Sequence, residues 1–250
     1  MLVQRKLVLT YIQQNAVFPA WVSRAMGKEL TSYQQQTYDY VRGQIINLGF
    51  KPGEFINDAQ IAEKLSVSRT PVREAFQRLE KEGLLVNEAR KGWRVYMLEL
   101  ADIYEIFDLK IAVEGMLVRN AAACTDKSLH KDLSAALADM KTAVEDDDAD
   151  AWLQADIHLH NILFLMANNE RAEQFIKTLN DQWHRIRLGY VALQGRTDKS
   201  ITEHADFVHS VLAGDGQKAE TQMRDHLARV RDDLIQLVKR LVLPFSSSGF

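Results

Sequence analysis

Cysteine is nearly missing from this chain: Cys124 is the only one in 250 residues. A disulfide framework and a cysteine-built metal site are thereby excluded, and Cys124 reads as a small core residue on a helix. Long apolar runs are missing too. No stretch is long enough to span a bilayer, and no apolar segment precedes the small-residue cleavage site of a secretory leader. A soluble, cytoplasmic protein with no membrane partner is expected. Glycine and proline are both absent from Glu99 to Asp102, so a joint between domains there would be short and stiff. The length suits two domains, and a hydrophobic content of 46% is enough to give each a core.

The net charge of −3 hides a division. Residues 1–97 hold 14 Lys+Arg against 9 Asp+Glu, a balance of +5, and residues 98–250 hold 17 against 25, a balance of −8. The first part carries the electrostatic footprint of a nucleic-acid partner. The second does not.

The basic part centres on Ser66 to Leu79. Ser68 is a fitting N-cap for a helix, and Pro71 falls in the first turn, where a missing N–H costs little. Val72, Phe76 and Leu79 recur at helical spacing and mark a buried stripe, opposite Arg69, Thr70, Arg73, Gln77 and Arg78. A hydroxyl-and-arginine N-terminus suits the major groove, where a first turn reaches base edges and phosphates together. Alone, the stretch reads equally well as a surface helix with a basic face.

Its surroundings decide between the two. An apolar-periodic helix containing Val41, Ile45, Ile46 and Leu48 leads into the turn Gly49 to Glu54. A short helix follows over Asp58 to Leu65, with Asp58 as its cap and Ile61, Ala62 and Leu65 inward. After the Ser68 helix, Leu84-Leu85-Val86 and Trp93 to Tyr96 are strand-like, flanking a basic turn, Glu88 to Gly92. Three helices and a hairpin in this order describe a winged helix-turn-helix.

From about Gln36 to Met97 the chain resembles the GntR family of bacterial transcription regulators. The residues that carry the resemblance are Leu48-Gly49, Pro52-Gly53-Glu54, Ile61-Ala62, Leu65, Val67 to Ala75, Arg78-Leu79-Glu80, Glu82-Gly83-Leu84 and Gly92. It implies that Ser68, Arg69, Thr70 and Arg73 bind DNA, with the two arginines as main readers, and that a wing tip of Arg90, Lys91 and Gly92 enters the adjacent minor groove. Gly92 also suits a hairpin closed with positive φ, whether or not DNA is bound. Some relatives place a DNA-touching arginine where this chain reads Asp58-Ala59-Gln60, so that contact is lost or replaced.

From Glu99 to Lys239 the pattern is helical. Breaks fall near Thr125-Asp126, Asp146 to Asp148, Asn168-Asn169, Gly195 to Asp198 and Gly214 to Gly216, giving about six helices in a bundle. Asp146 to Asp148 lacks the alternating ligands and central glycine of a calcium loop and reads as a capping turn. On the first bundle helix, Ile103, Ile106, Phe107, Val113 and Leu117 form a core stripe, with Lys110 and Glu114 on or beside it. They form either an i,i+4 surface pair or a buried pair that must find partners or a ligand.

Further on, Asp156 and His160 stand four apart on one helix, and His204 and His226 lie on two later helices. One carboxylate and three imidazoles suit a divalent transition metal; spacing alone leaves open histidines hydrogen-bonded within a core. His158, two residues from both Asp156 and His160, should point elsewhere. His130 and His184 read as surface or structural residues.

Residues 101–240 resemble the all-helical FCD type of ligand-binding domain found in the FadR subfamily of GntR regulators, on Asp156, His160, Asn169, Glu203-His204, Gly214-Asp215, Ala219, Met223 and His226-Leu227. The resemblance implies a metal on Asp156, His160, His204 and His226, with zinc expected and nickel, manganese or iron as alternatives. It also implies a small carboxylate effector completing the shell, held by Arg185 or Arg187 with help from Asn169 or Lys110. Relatives commonly have arginine where this chain has Lys110, which keeps the charge and loses the planar fork.

The expected protein is mainly α. Residues 1–29 form an N-terminal extension, with Met26 a possible true start. Residues 30–98 form the winged helix-turn-helix, 99–241 an all-α effector and metal domain, and 242–250 a tail. It would be a homodimeric regulator, a repressor, reading palindromic double-stranded DNA under the control of a small organic acid. The alternatives are a structural or sensed metal with no effector, and, remotely, a metal-dependent hydrolase; no general base stands out beside the four ligands.

Overall fold

The computed structural model describes residues 33–191 and 197–242, with side chains described over 33–184 and 199–239. The extension 1–29, the break at Gly195 and the tail from 243 onward lie outside the described residues. The chain divides into two compact units between Leu98 and Glu99.

The first unit holds α1 (Tyr33–Ile46), β1 (Phe55–Ile56), α2 (Asp58–Leu65), α3 (Arg69–Lys81), β2 (Leu85–Glu88) and β3 (Gly92–Val95). Apolar side chains spaced by three and four residues bring Val41 and Ile45 of α1 against Val72, Phe76 and Leu79 of α3, all fully buried. The Phe76 ring meets Trp93 of β3 edge-on at 5.5 Å, which ties α3 to the hairpin. The hairpin matches expectation, with Asn87 opposite Trp93 and Glu88 opposite Gly92. A third strand was not expected: β1 pairs antiparallel with β3, giving the order β1-β3-β2. Two residues are too few to show the alternation by which a strand is read.

Capping corrects one expectation and narrows another. Asn57, not Asp58, caps α2, its side chain accepting from the Ala59 N–H at 2.8 Å. Ser68 sits at the N-cap of α3 but makes no side-chain capping bond. The usual donors are the second and third helical N–H groups, and the third residue here is Pro71, which has none. The turn from α2 to α3 is closed by Ser66, left-handed at φ 54, whose N–H reaches carbonyls of the last turn of α2.

The second unit holds α4 (Leu100–Ala121), α5 (Lys127–Glu145), α6 (Ala149–Ala167), α7 (Glu170–Val191), α8 (Thr197–Leu212) and α9 (Gly216–Val242). Asp126 and Asp148 cap α5 and α6. The helix α4 begins earlier than the expected joint allowed. Glu99 is its N-cap, and the Glu99 N–H donates to Asp102 at 2.6 Å, so Leu100, Ala101 and Asp102 belong to the helix. Its buried stripe is Ile103, Ile106, Phe107, Lys110, Glu114, Leu117, Val118 and Ala121. The stripe therefore runs through the Lys110–Glu114 pair, which is buried and not on the surface, while Val113 is half-buried. At Gly115 a Cβ would stand 2.9 Å from Cγ of Arg224, so glycine permits the close approach of α4 and α9. Cys124 is not on a helix: it is a half-buried free thiol in the turn after α4, where its carbonyl meets Nε2 of His130 at 2.9 Å.

Candidate functional site

Two sites were expected, one in each unit. On α3, Ser68, Arg69, Thr70 and Arg73 are all exposed, on the face away from Val72, Phe76 and Leu79. The two arginines are not loose. Arg69 Nη2 donates to Oδ1 and Oδ2 of Asp58 at 2.7 and 3.0 Å, and Arg73 Nε donates to Oδ2 at 2.6 Å. Burial pushes the Asp58 carboxyl up, but the bonds from Arg73 and Arg69 outweigh it and hold the group below the usual carboxylate range. Arg78, five residues further, is held against its own unit. It lies 3.6 Å over the Tyr38 ring and bonds Glu82 at 3.1 Å and Gln35 at 3.2 Å.

The wing turn places Arg90 and Lys91 in the open. Arg90 has φ 67 and Gly92 φ 97, so Gly92 serves the turn as expected. Glu88 pairs with Arg94 and, at 3.5 Å, with Lys91.

In the second unit the three expected histidine ligands come together, and Asp156 lies against one of them, His204. Asp156 and His160 project from α6, His204 from α8 and His226 from α9, and Asp156, His204 and His226 are buried. The three histidines offer nitrogen atoms within 4.8 Å of one another. His160 Nε2 lies 3.3 Å from His204 Nε2, which lies 3.1 Å from Asp156 Oδ1.

What stands behind each ring fixes its tautomer. His160 Nδ1 is 3.2 Å from Glu114 Oε2, His226 Nδ1 is 2.6 Å from Glu203 Oε2, and His204 Nδ1 is 2.7 Å from the Ser200 carbonyl. Carboxylates and carbonyls only accept, so each Nδ1–H donates to the acceptor behind it, and Nε2 is the atom each ring can offer a metal. Nε2 of His160 and Nε2 of His204 face each other, as two nitrogens sharing one cation would. Ligand atoms about 2.05 Å from a tetrahedral ion sit roughly 3.3 Å apart, which matches the separation of His160 and His204. This donor set fits a divalent transition metal, and the acceptors behind the rings are those that orient metal-bound histidine.

The electrostatics agree. Burial, with His204 and His160 close by, lowers the His226 pKa to about 4 against the pull of Glu203, so the ring is neutral and able to ligate. Burial would raise the Glu114 carboxyl, but Lys110 and His160 bring it down to about 2. The Glu203 carboxyl is likewise lowered against burial, by His226 and Arg229, the latter donating at 2.7 Å. Phe207, fully buried, walls the cluster, its ring 5.0 Å from His204, 5.8 Å from His226 and 6.1 Å from His160.

The expected effector contacts fare differently. Lys110 lies in the same network, bonded to Glu114 and Asn180. Asn169 accepts from the Ala172 N–H at 3.1 Å and so caps α7. The side chains of Arg185 and Arg187 lie outside the described residues. His158 is exposed, as its spacing required. Asn180, Ser200 and the orienting roles of Glu114 and Glu203 were missed. Glu203 adjoins His204 in sequence, but nothing local pairs it with His226, 23 residues on.

Comparison with known proteins covers both units. Residues 33–95 match the model of the bacterial regulatory proteins, gntR family, and residues 105–229 match that of the FCD domain. The chain is 25% identical over 203 residues to the HTH-type transcriptional repressor RspR of Escherichia coli, covering 81% of this chain and 89% of that protein. It is 35% identical over 134 residues to an HTH-type transcriptional regulator of the TAR-I ttuE-ttuC' intergenic region of Agrobacterium vitis, covering 52% of this chain and 78% of that protein. Among solved structures, E. coli McbR/YncC shares the fold with a TM-score of 0.68 at 21% identity, over 83% of this chain and 99% of that one. No helix among the described residues is long and apolar enough to cross a membrane.

Proposed function

Because the chain belongs to the gntR family of bacterial regulatory proteins and carries an FCD domain, we propose that it is a repressor whose hold on DNA is set by a small carboxylate bound beside a divalent metal. The coarser part follows from membership: the family and the relatives are helix-turn-helix transcriptional regulators, not enzymes. Repression is favoured by the name of RspR.

One observation carries the metal reading: three histidines with every Nδ1 occupied from behind and ring nitrogens within 4.8 Å of one another, His204 Nε2 lying beside Asp156. These four residues would hold the ion, with zinc expected from the imidazole-rich donor set. Bound, it would act as a Lewis acid that fixes a carboxylate oxygen. The protein's own part is to aim the imidazoles and to shield them with Phe207. A homodimer would set two α3 helices on the half-sites of a palindrome. Effector binding would change DNA affinity only as far as it favours one arrangement of the protein over another.

Lys110 favours a second reading. Its ammonium is already held by Glu114 and Asn180, as suits a site in which the metal braces the bundle and no organic acid binds. A single titration separates the two. Operator fragments are recovered from genomic DNA with the purified protein, and small carboxylic acids are then added at constant metal. Release of DNA by one acid, lost in His204→Ala, supports the effector reading. Retention of DNA under every acid supports the bracing metal.

A further inference from the structure

The contact between Asp58 and the two exposed arginines is left unused by this account of DNA binding. Asp58 opens α2, and its backbone is set by the Asn57 cap. Its side chain is 12% exposed, against 56% and 59% for the arginines it holds. One covered carboxylate thus serves two uncovered guanidinium groups from behind. An exposed pair of long side chains does little, but here the acceptor is largely covered and shared by two arginines. The contacts use Nη2 of Arg69 and Nε of Arg73. A guanidinium has five N–H donors, so Arg69 keeps Nε and Nη1, and Arg73 keeps both terminal nitrogens.

We propose that Asp58 is a positioning residue for DNA recognition: its carboxylate fixes Arg69 and Arg73 as one unit and cancels one of their two charges, sharpening sequence choice and weakening nonspecific attraction to phosphate. This rests on the reading of α3 as the DNA-reading helix. Free arginines would clamp any phosphate within reach, a contact that carries no sequence information. Arginines held at fixed angles can satisfy a base edge only where its acceptors match. Asp58 thus acts on DNA through its neighbours.

The test uses the full chain, a pool of duplexes with a randomised centre, and one fixed duplex of unrelated sequence titrated over a salt series. Asp58→Asn is expected to bind the unrelated duplex more tightly at low salt, with a salt slope steeper by up to about one per chain. It is also expected to select a more degenerate sequence, relaxed at the positions that Arg69→Ala or Arg73→Ala relax. Asp58→Glu, which retains a carboxylate, is expected to recover the wild-type sequence. If Asp58→Asn selects the same sequence with the same slope, the inference is overturned, while losses in the arginine variants would still leave α3 as the reading helix. If neither arginine variant weakens binding, the helix assignment fails and takes the inference with it. One measurement needs no variant: in the wild-type protein free of DNA, the Arg73 Nε–H should exchange with water more slowly than that of the exposed Arg171. Equal exchange would contradict the clamp.

Discussion

The two units use one device at opposite depths. In the winged unit a carboxylate, Asp58, stands behind Arg69 and Arg73, whose other faces are open. In the helical unit Glu114 and Glu203 stand behind His160 and His226, with side-chain exposures of 1% and 14%. The difference follows from the size of what is held. A duplex is read from outside, so its ligands stay in water and only their anchor is covered. An ion is surrounded, so ligands and anchors both go inside, where an unpaired polar group is costly.

The comparison can be broken from the buried side first. Phe207→Ala removes the wall beside all three histidines and should destabilise the helical unit by roughly 3–5 kcal/mol. Calorimetry should show the loss in one transition, with the transition of the winged unit unmoved. A single merged transition that shifts as a whole would contradict separate cores. Next comes metal removal. An ion present at 100 times its dissociation constant contributes about 2.7 kcal/mol, so chelation should lower the melting of that same unit, and His204→Ala should be insensitive to chelator. Glu203→Gln should then weaken metal binding by roughly 10–100-fold, read by competition with a chromogenic chelator, because a neutral amide orients the ring of His226 less firmly.

The exposed side gives smaller effects. Arg73→Ala should cost roughly 1–3 kcal/mol per half-site in discrimination against a wrong base, measured by comparing selected and unrelated duplexes, without changing metal content. Smallest is Lys177→Ala. It breaks an open pair with Glu173 at 3.2 Å and should change stability by only about 0.2–0.5 kcal/mol. A larger drop in thermal melting would show that surface pairing matters more than burial in this fold.

What could be read in advance follows the same division by distance along the chain. Ser68 to Leu79 holds the α3 stripe and its arginine face within one helix, so spacing was enough. Asp156 and His160 share a face by being four apart, and His204 and His226 joined them through resemblance. The partners that orient them are remote. Glu114 meets His160 across 46 residues, and Lys110 meets Asn180 across 70. Asp58 reaches Arg69 and Arg73 across 11 and 15. No local periodicity marks such pairs, because helix packing creates them. Ser68 holds the N-cap position expected of it, and only the side-chain bond is missing, beside a third helical residue, Pro71, that has no N–H to give.

The most direct test of the metal-centred account is the metal content of protein purified without chelator. Wild type should hold roughly one divalent ion per chain, with His204→Ala folded and empty. Wild type that is folded, metal-free and unchanged in melting when zinc is added would contradict the account, and would leave the histidine cluster as a hydrogen-bonded part of the core.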